Sequence, residues 1–497
     1  MSNRPETNKQ SCPVYKKCGG CQLQNLSYPE QLEFKQKKVE KLLKRFCTVE
    51  KIIGMKTPYH YRNKVQAAFY TDKKGKIISG VYQSGSHHVV GIDSCQTEDV
   101  IADKIIVAVR KLLPSFRMTT YNEDTGKGFL RHILVKRGFA TNQIMLVLVT
   151  GTPVFQSKNN FVKAILKQFP EITTIVQNIN PYRTNLVLGD NQKVLYGKGY
   201  IEDILCGCRF RISPKSFYQI NPVQTEVLYG KAIEFANLKG NETVLDTYCG
   251  IGTIGIIAAK NGAGNVIGAE LNGDAVRDAI VNARANNLKN IRFYKADAGE
   301  FMREAADEDE KPDVVFMDPP RAGSDRKFLD SLIKMSPKKV VYVSCNPETL
   351  ARDLAYLTQN SPYKAQKIQP VDMFPHTAHI ETVVLLSHKK PDGHINVKVE
   401  FGEGEGKVPL DNIAKRAEEY KPEERVTYKM IKEYIEAKYG FKVHTAYIAE
   451  VKRDLGLPMY DAPNAVEESK QPRKHPTAEK VEAIKDALRY FEIMEEI

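Results

Sequence analysis

The 497-residue sequence predicts an α/β protein with a doubly wound, mostly parallel sheet of Rossmann type over residues 221–388. Three observations carry this. From Asn221 to Ser387, short apolar runs alternate with helical patterns, the rhythm of strand–helix–strand units. A glycine-rich turn, Asp246 to Gly255, joins the first of those strands to a helix. Upstream the rhythm differs: from Thr57 to Ile212 the runs are short, β-like and bounded by Gly, Asn and Pro. That stretch predicts a central α+β domain over 57–220. A cysteine loop and basic helix (1–56) precede it, and a mostly helical C-terminal extension (389–497) closes the chain.

Composition bounds the rest. With 42% hydrophobic and 27% charged residues, the chain can bury ordinary cores. No apolar run approaches the roughly 20 residues that span a bilayer, and Met1–Gln10 holds no apolar segment of the secretory kind. We therefore expect a soluble, cytoplasmic monomer with no membrane partner. The net charge of +13 is unevenly placed: residues 389–497 carry 20 Lys and Arg against 22 Asp and Glu, leaving 53 against 38 in the first 388. A basic excess in that portion suits a polyanionic partner, and RNA is the expected one.

At the N-terminus, Cys12, Cys18 and Cys21 read C-x5-C-x2-C, with Cys95 far downstream. Three thiols in a short loop and a fourth from afar suit a tetrahedral site. The competing occupants are a [4Fe–4S] cluster and a structural zinc ion. Zinc ribbons offer two close pairs, whereas this chain offers a triplet and a single, so the spacing favours the cluster. Next, Tyr28–Phe46 reads as a basic amphipathic helix. The β-like runs are Lys64–Tyr70, Ile77–Tyr82, His132–Lys136, Gln143–Thr150, Ile172–Gln177 and Lys193–Tyr196, interrupted by a helical stretch, Glu98–Leu113. Basic and aromatic residues interleave there, as in Tyr59–Lys64 and Leu130–Arg137, a mix suited to phosphate contact and base stacking.

The strands of the second region are Thr243–Asp246, Asn265–Glu270, Ile291–Ala296, Asp313–Met317, Lys339–Val343 and Glu381–Leu386. The extension opens with a possible hairpin, Ile395–Glu400. Helices Tyr428–Tyr439 and Ala446–Leu455 follow, joined by a turn at Gly440. The pair resembles a helix-turn-helix, but its near-zero charge points to a packing or protein-contact module.

Gly250-Ile251-Gly252-Thr253-Ile254-Gly255 matches G-x-G-x-x-G, and Glu270 ends the next strand. A nicotinamide dinucleotide would fit that pattern. So would S-adenosylmethionine, and Asp246 before the turn and Asp318-Pro319-Pro320 after a later strand favour the methyl donor. Enzymes that methylate exocyclic amines carry an aromatic residue after such a Pro-Pro. Here Arg321 follows, which suits a base without that amine, such as uracil. Carbon 5 of uracil is a poor nucleophile until a thiolate adds at carbon 6, after which a base must remove the proton on carbon 5. Cys345, at the end of an apolar strand, supplies a thiol. Met373–Glu381 offers the base: Glu381, with His376 and His379 as rivals.

Phe217–Asn221, the glycine-rich turn, Asp318–Arg321, Ser344–Pro347 and His379–Glu381 occur in this order, and over roughly residues 12–387 the chain resembles the RNA uracil-5-methyltransferases. With the cysteine group it resembles their iron–sulfur branch, which methylates 23S ribosomal RNA. The resemblance implies Cys345 as nucleophile and Glu381 as base, with Gln219, Tyr248, Glu270 and Asp318 binding S-adenosylmethionine. It also implies Cys12, Cys18, Cys21 and Cys95 as ligands of [4Fe–4S]. Thr253 stands where some relatives carry Asn, the extension from 389 is additional, and only eleven residues precede the cysteine loop, where many relatives have a small RNA-binding barrel. The rival expectations are a transfer-RNA uracil-5-methyltransferase and a non-catalytic RNA-binding assembly factor.

Overall fold

The computed structural model describes residues 12–388 apart from 84, 87, 185, 309 and 310, together with 428–441, 443, 445–455 and 477–490. The stretch to 388 and the stretch from 428 belong to two separate compact units.

The cysteine loop contains one helical turn, α1 (Tyr15–Cys18), and leads into α2 (Tyr28–Leu43). The Glu30 carboxylate accepts from the Ser27 N–H and hydroxyl at 2.7 Å and starts that helix. Its inward stripe is Gln31, Lys35, Val39 and Leu43 at four-residue spacing, so two of its four core positions are polar.

A seven-stranded sheet follows: β1 (Lys64–Thr71), β2 (Ile77–Tyr82), β3 (Val89–Gly91), β4 (Leu130–Arg137), β5 (Ile144–Thr150), β6 (Ile172–Ile179) and β7 (Asn191–Tyr196). Its order is β3-β2-β1-β4-β5-β6-β7. Every pairing is antiparallel except β5–β6, and that parallel step needs a crossover, supplied by α4 (Lys158–Gln168), which sequence patterning missed. α3 (Val100–Leu112), capped by the Asp99 side chain, packs with α4 on one face through Ile105, Val109, Phe161 and Ile165. The other face, with Leu134, Met145 and Val147, shares a core with the second sheet. β5, buried along its whole length, is accordingly an unbroken apolar run.

Between the sheets, β8 (Ile201–Leu205) and β9 (Cys208–Ile212) form a hairpin. Cys206 and Gly207 take positive φ at its tip, the geometry of a tight two-residue turn. Cys208, the first residue of β9, lies in the core.

After α5 (Pro222–Ala236) comes the second sheet: β10 (Thr243–Asp246), β11 (Asn265–Glu270), β12 (Ile291–Lys295), β13 (Val314–Met317), β14 (Lys339–Ser344), β15 (Tyr363–Val371) and β16 (Glu381–His388). The intervening helices are α6 (Thr253–Lys260), α7 (Gly273–Ala285), α8 (Ala298–Asp307), α9 (Arg326–Met335) and α10 (Pro347–Asn360). The order β12-β11-β10-β13-β14-β16-β15 is Rossmann-like, with the chain reversing direction across the sheet between β10 and β13. At one edge β16 runs antiparallel to β14, and β15 pairs antiparallel with β16 and so runs with the parallel strands; β15 alternates too weakly to stand out in the sequence.

In the second unit, helices Tyr428–Tyr439, Thr445–Asp454 and Ala478–Tyr490 close around Ile431, Ile435, Ile448, Val451 and Ile484. The third was not expected from sequence, and the expected hairpin Ile395–Glu400 lies outside the described residues. Among the described residues no helix is long and apolar enough to cross a membrane.

Candidate active site

In an open α/β sheet the crevice lies outside the carboxyl ends of the strands where the order switches. Here those are β10 and β13, ending in Asp246 and leading into Asp318. Asp246 Oδ2 accepts from the Gly255 N–H at 2.8 Å, fixing the first turn of α6. Its Oδ1 is buried without a hydrogen-bond partner among the described residues. At Gly252, φ is +81° and a Cβ would stand 2.7 Å from the Phe293 ring, so only glycine fits. Glu270, at the end of β11, closes the turn: its carboxylate accepts from the N–H groups of Gly250 (3.0 Å) and Asn272 (2.8 Å).

The crevice is acidic. Burial pushes Asp246 up to about 7, opposed by the Gly255 N–H and reinforced by the charges of Asp318 and Glu270. Burial does the same to Asp318, to about 7. Tyr229, a buried polar residue of α5 that sequence reasoning missed, brings its hydroxyl within reach of the Thr253 and Gln219 side chains and close to Asp318. Its signal was a tyrosine beside Leu228 on the inward side of that helix, which also buries Gln224 and Thr225. Tyr248 has different neighbours. Its ring tilts against Phe328 at 5.5 Å, and its hydroxyl, pushed up to about 12 by burial, lies by Ser324.

Cys345 follows β14 directly, and Glu381 begins β16. Because β16 runs antiparallel, its first residues lie at the same edge as the last residues of β14, and Ser344 pairs with Thr382. Cys345 follows that pair on one chain segment and Glu381 precedes it on the other, and the two lie close enough for the Glu381 charge to act on the thiol. The sheet thus brings thiol and carboxyl together from positions 36 residues apart in sequence. Glu381 is 3% exposed; burial and the Asp318 charge hold its proton affinity well above the carboxylate norm, opposed by Arg321. The thiol is pushed up to about 11 by burial, then by Glu381 and Asp318, with Arg321 again opposing. The Arg321 carbonyl accepts from Asn346 Nδ2 and the Thr349 hydroxyl, each at 3.2 Å, tying the Pro-Pro turn to the start of α10.

The two histidines differ. His376 has both ring nitrogens engaged, Nε2 with the Pro58 carbonyl at 2.8 Å and Nδ1 with Gln31 Nε2 at 3.2 Å. His379 lies 3.5 Å from Arg321 Nη2, and burial and that cation depress its proton affinity. Neither environment favours a general base.

The thiol's position has a direct consequence. Alkylation of Cys345 by iodoacetamide, followed by peptide mass spectrometry, should be slow at pH 7 and rise up to about pH 11. Arg321→Gln removes the cation that stabilises the thiolate and should move the profile to higher pH. A Cys345 profile centred near pH 8.5, like a free thiol, would overturn this account of the site.

Cys12, Cys18, Cys21 and Cys95 line one small cavity of their own. Burial, with Cys95, Cys18 and Cys12 adding their charges, pushes Cys21 up to about 12. Among the described residues no three thiol, imidazole or carboxylate groups stand at metal-ligand spacing. The loop and Cys95 are gathered but not clamped. The Gly20 position is tight, with a Cβ there only 3.3 Å from Cys18 Sγ.

A mostly parallel sheet with acids at its switch-point strands, and a thiol close to a carboxyl beside them, defines a Rossmann-like methyltransferase. The tRNA (uracil-5-)-methyltransferase family matches residues 27–389, and the chain belongs to that family. An "Uncharacterized RNA methyltransferase" of Bacillus cereus is 44% identical over 388 residues, spanning 77% of this chain and 84% of its own. One from Listeria monocytogenes is 46% identical over 379 residues, 76% of this chain and 83% of its own. Among solved structures, the Pyrococcus abyssi tRNA (uracil-54, C5)-methyltransferase in complex with S-adenosyl-L-homocysteine is 30% identical, with a TM-score of 0.62. That match covers 76% of this chain and 87% of the archaeal one.

Proposed function

We propose that the chain methylates carbon 5 of a uridine in RNA from S-adenosylmethionine, with Cys345 as nucleophile, Glu381 as base and 23S ribosomal RNA as substrate. The observation that carries this reading is the antiparallel pairing of β14 and β16, whose shared end holds one thiol beside one buried carboxyl at the edge of the crevice. The Cys345 thiolate adds to carbon 6 of the uracil, and carbon 5 gains the electron density to take a methyl group. Glu381 then removes the proton from carbon 5, the double bond re-forms and the thiolate is expelled. Burial raises the proton affinity of Glu381, which suits a group that must take a proton from carbon.

The crevice suits the donor. When bound, S-adenosylmethionine supplies an electrophilic sulfonium methyl. Asp246, Glu270 and Asp318 complement a cation, the charges of Asp318 and Glu270 adding to the raised proton affinity of buried Asp246, and Asp246 Oδ1 is an acceptor still lacking a donor among the described residues. Gln219, Glu270, Asp318 and Tyr248 would hold the donor, Glu270 at the ribose.

The four cysteines suit a [4Fe–4S] cluster: an all-thiol set around one cavity beside a tight glycine turn. The cluster would tie the N-terminal loop to the segment carrying Cys95. Anaerobically purified protein should contain iron and sulfide in near-equal amounts, and zinc without sulfide would sink this part of the reading. Transfer RNA is the second reading, favoured by what the Pyrococcus relative acts on. Incubation with labelled methyl donor and unmethylated total RNA, then mapping of the modified nucleotide, separates the two. A label on 23S ribosomal RNA supports the first, a label on transfer RNA the second, and no transfer to either overturns the catalytic reading.

A further inference from the structure

Outside the crevice, the first sheet holds a cavity of about 660 Å³. It opens on the face of β4 that carries His132, Leu134 and Lys136, the face shared with the second sheet. Lys136 binds the carbonyls of Ser213 (2.9 Å) and Ser216 (2.8 Å), which anchors the turn leading to Gln219. His132 stands four residues earlier on the same strand, about 13 Å away, and lines the cavity.

Three residues of the inner wall each carry a buried polar atom with no hydrogen-bond partner among the described residues: the Tyr121 hydroxyl, Arg131 Nε and His132 Nδ1. Their residues are 5%, 4% and 5% exposed. Buried polar groups are nearly always paired, so three orphans on one cavity point to a ligand that pairs them. They are also held in place. Arg131 Nη1 donates to the carbonyls of Asn180 (2.8 Å) and Tyr182 (2.6 Å), and its guanidinium lies 4.3 Å over the Tyr121 ring. The Tyr82 ring stands edge-on to His132 at 6.1 Å. Tyr70 and Tyr82, 37% and 36% exposed, form the aromatic outer wall.

This chemistry selects a class of ligand. Burial depresses His132 to about 4, so at neutral pH the imidazole is uncharged, with one donor and one acceptor nitrogen. Tyr121 can donate or accept, and Arg131 Nε donates. Glu123 and Asp124 line the cavity together with Arg131 and Arg183, so the lining carries no net charge to select an ion. A flat, neutral ring with donors and acceptors along its edge matches the site, which is the description of a nucleobase.

We propose that this cavity receives a second base of the RNA, unstacked from its neighbours and distinct from the methylated uracil. Tyr121, Arg131 and His132 read its edge, and Tyr70 and Tyr82 lie against its faces. This rests on RNA being the substrate.

The test uses the full chain and an RNA fragment containing its methylation site, with each flanking nucleotide made abasic in turn. Tyr121→Phe removes only the orphaned hydroxyl, so the melting temperature should hold or rise while RNA affinity falls about 10-fold. Tyr70→Leu, at the partly exposed wall, should weaken RNA by a similar factor. One abasic position should weaken the wild type equally, and pairing that RNA with either variant should add no further loss. Wild-type RNA affinity in both variants, or no abasic position that couples to them, overturns the proposal. Ultraviolet crosslinking of bound RNA to the peptide carrying Tyr70 or Tyr121 is read without catalysis. Crosslinks there without methyl transfer would leave the cavity assigned and remove the uracil-5 reading. Normal methyl transfer with no coupled base would do the reverse.

Discussion

Cys345→Ala should abolish both turnover and any covalent link to RNA, a loss of about 10³-fold or more of the kind that follows removal of a nucleophile. Affinity for S-adenosylmethionine should survive, because the glycine turn and its acids are built from β10, α6 and β11. Glu381→Gln should fail differently. Thiol addition and methyl gain remain open, but the proton on carbon 5 has no acceptor, so methylated RNA should accumulate as an adduct on Cys345. Denaturing electrophoresis reads it as a band shifted by the mass of the RNA. Residual methylation by Cys345→Ala would rule out the thiol route. Activity lost in Glu381→Gln with no adduct would transfer the base role to another group, and His379 is then the better placed histidine, since both nitrogens of His376 are occupied.

The second large effect is on stability. Lys35 and Asp372 form an ion pair at 2.5 Å with both side chains fully buried. The Tyr28 hydroxyl donates to the other Asp372 oxygen at 2.9 Å, and Lys35 Nζ also reaches the Phe374 carbonyl at 3.0 Å. Lys35→Met leaves the Asp372 charge buried without its cation and should cost about 3–5 kcal/mol in urea unfolding of the first unit. Lys35→Met with Asp372→Leu should recover much of that, since an apolar pair of similar size needs no desolvation. A single-variant loss below about 1 kcal/mol would show that water reaches the pair.

Much of this was legible in the sequence. The strand–helix rhythm placed β10 to β14, and the apolar run before Cys345 placed the thiol at a strand end. Other features were hidden because they depend on pairing. Nothing local marks β16 as antiparallel, yet that direction alone carries Glu381 to the thiol's edge. The hairpin β8–β9 was hidden because Cys206, a residue that rarely takes positive φ, shares its two-residue turn with Gly207. Lys35 did leave a trace: it falls in register with Val39 and Leu43 on the buried side of α2, where a lone lysine demands a partner. That partner lies 337 residues away, beyond the reach of any window. Likewise, no periodicity could have shown that Tyr121, Arg131 and His132 share a cavity.

The grip of the N-terminal helix on the segment before Glu381 also sets an order of events during synthesis. Gln31 and Lys35 leave the ribosome early, and their partners His376 and Asp372 arrive 345 and 337 residues later. At about 5–20 residues per second, roughly 20–70 s separate the two. Until then the polar stripe of that helix stays hydrated, β14 lacks its antiparallel neighbour, and Glu381 is not beside Cys345. On the proposed mechanism, chemistry on RNA therefore waits until the last strand of the sheet has joined β14.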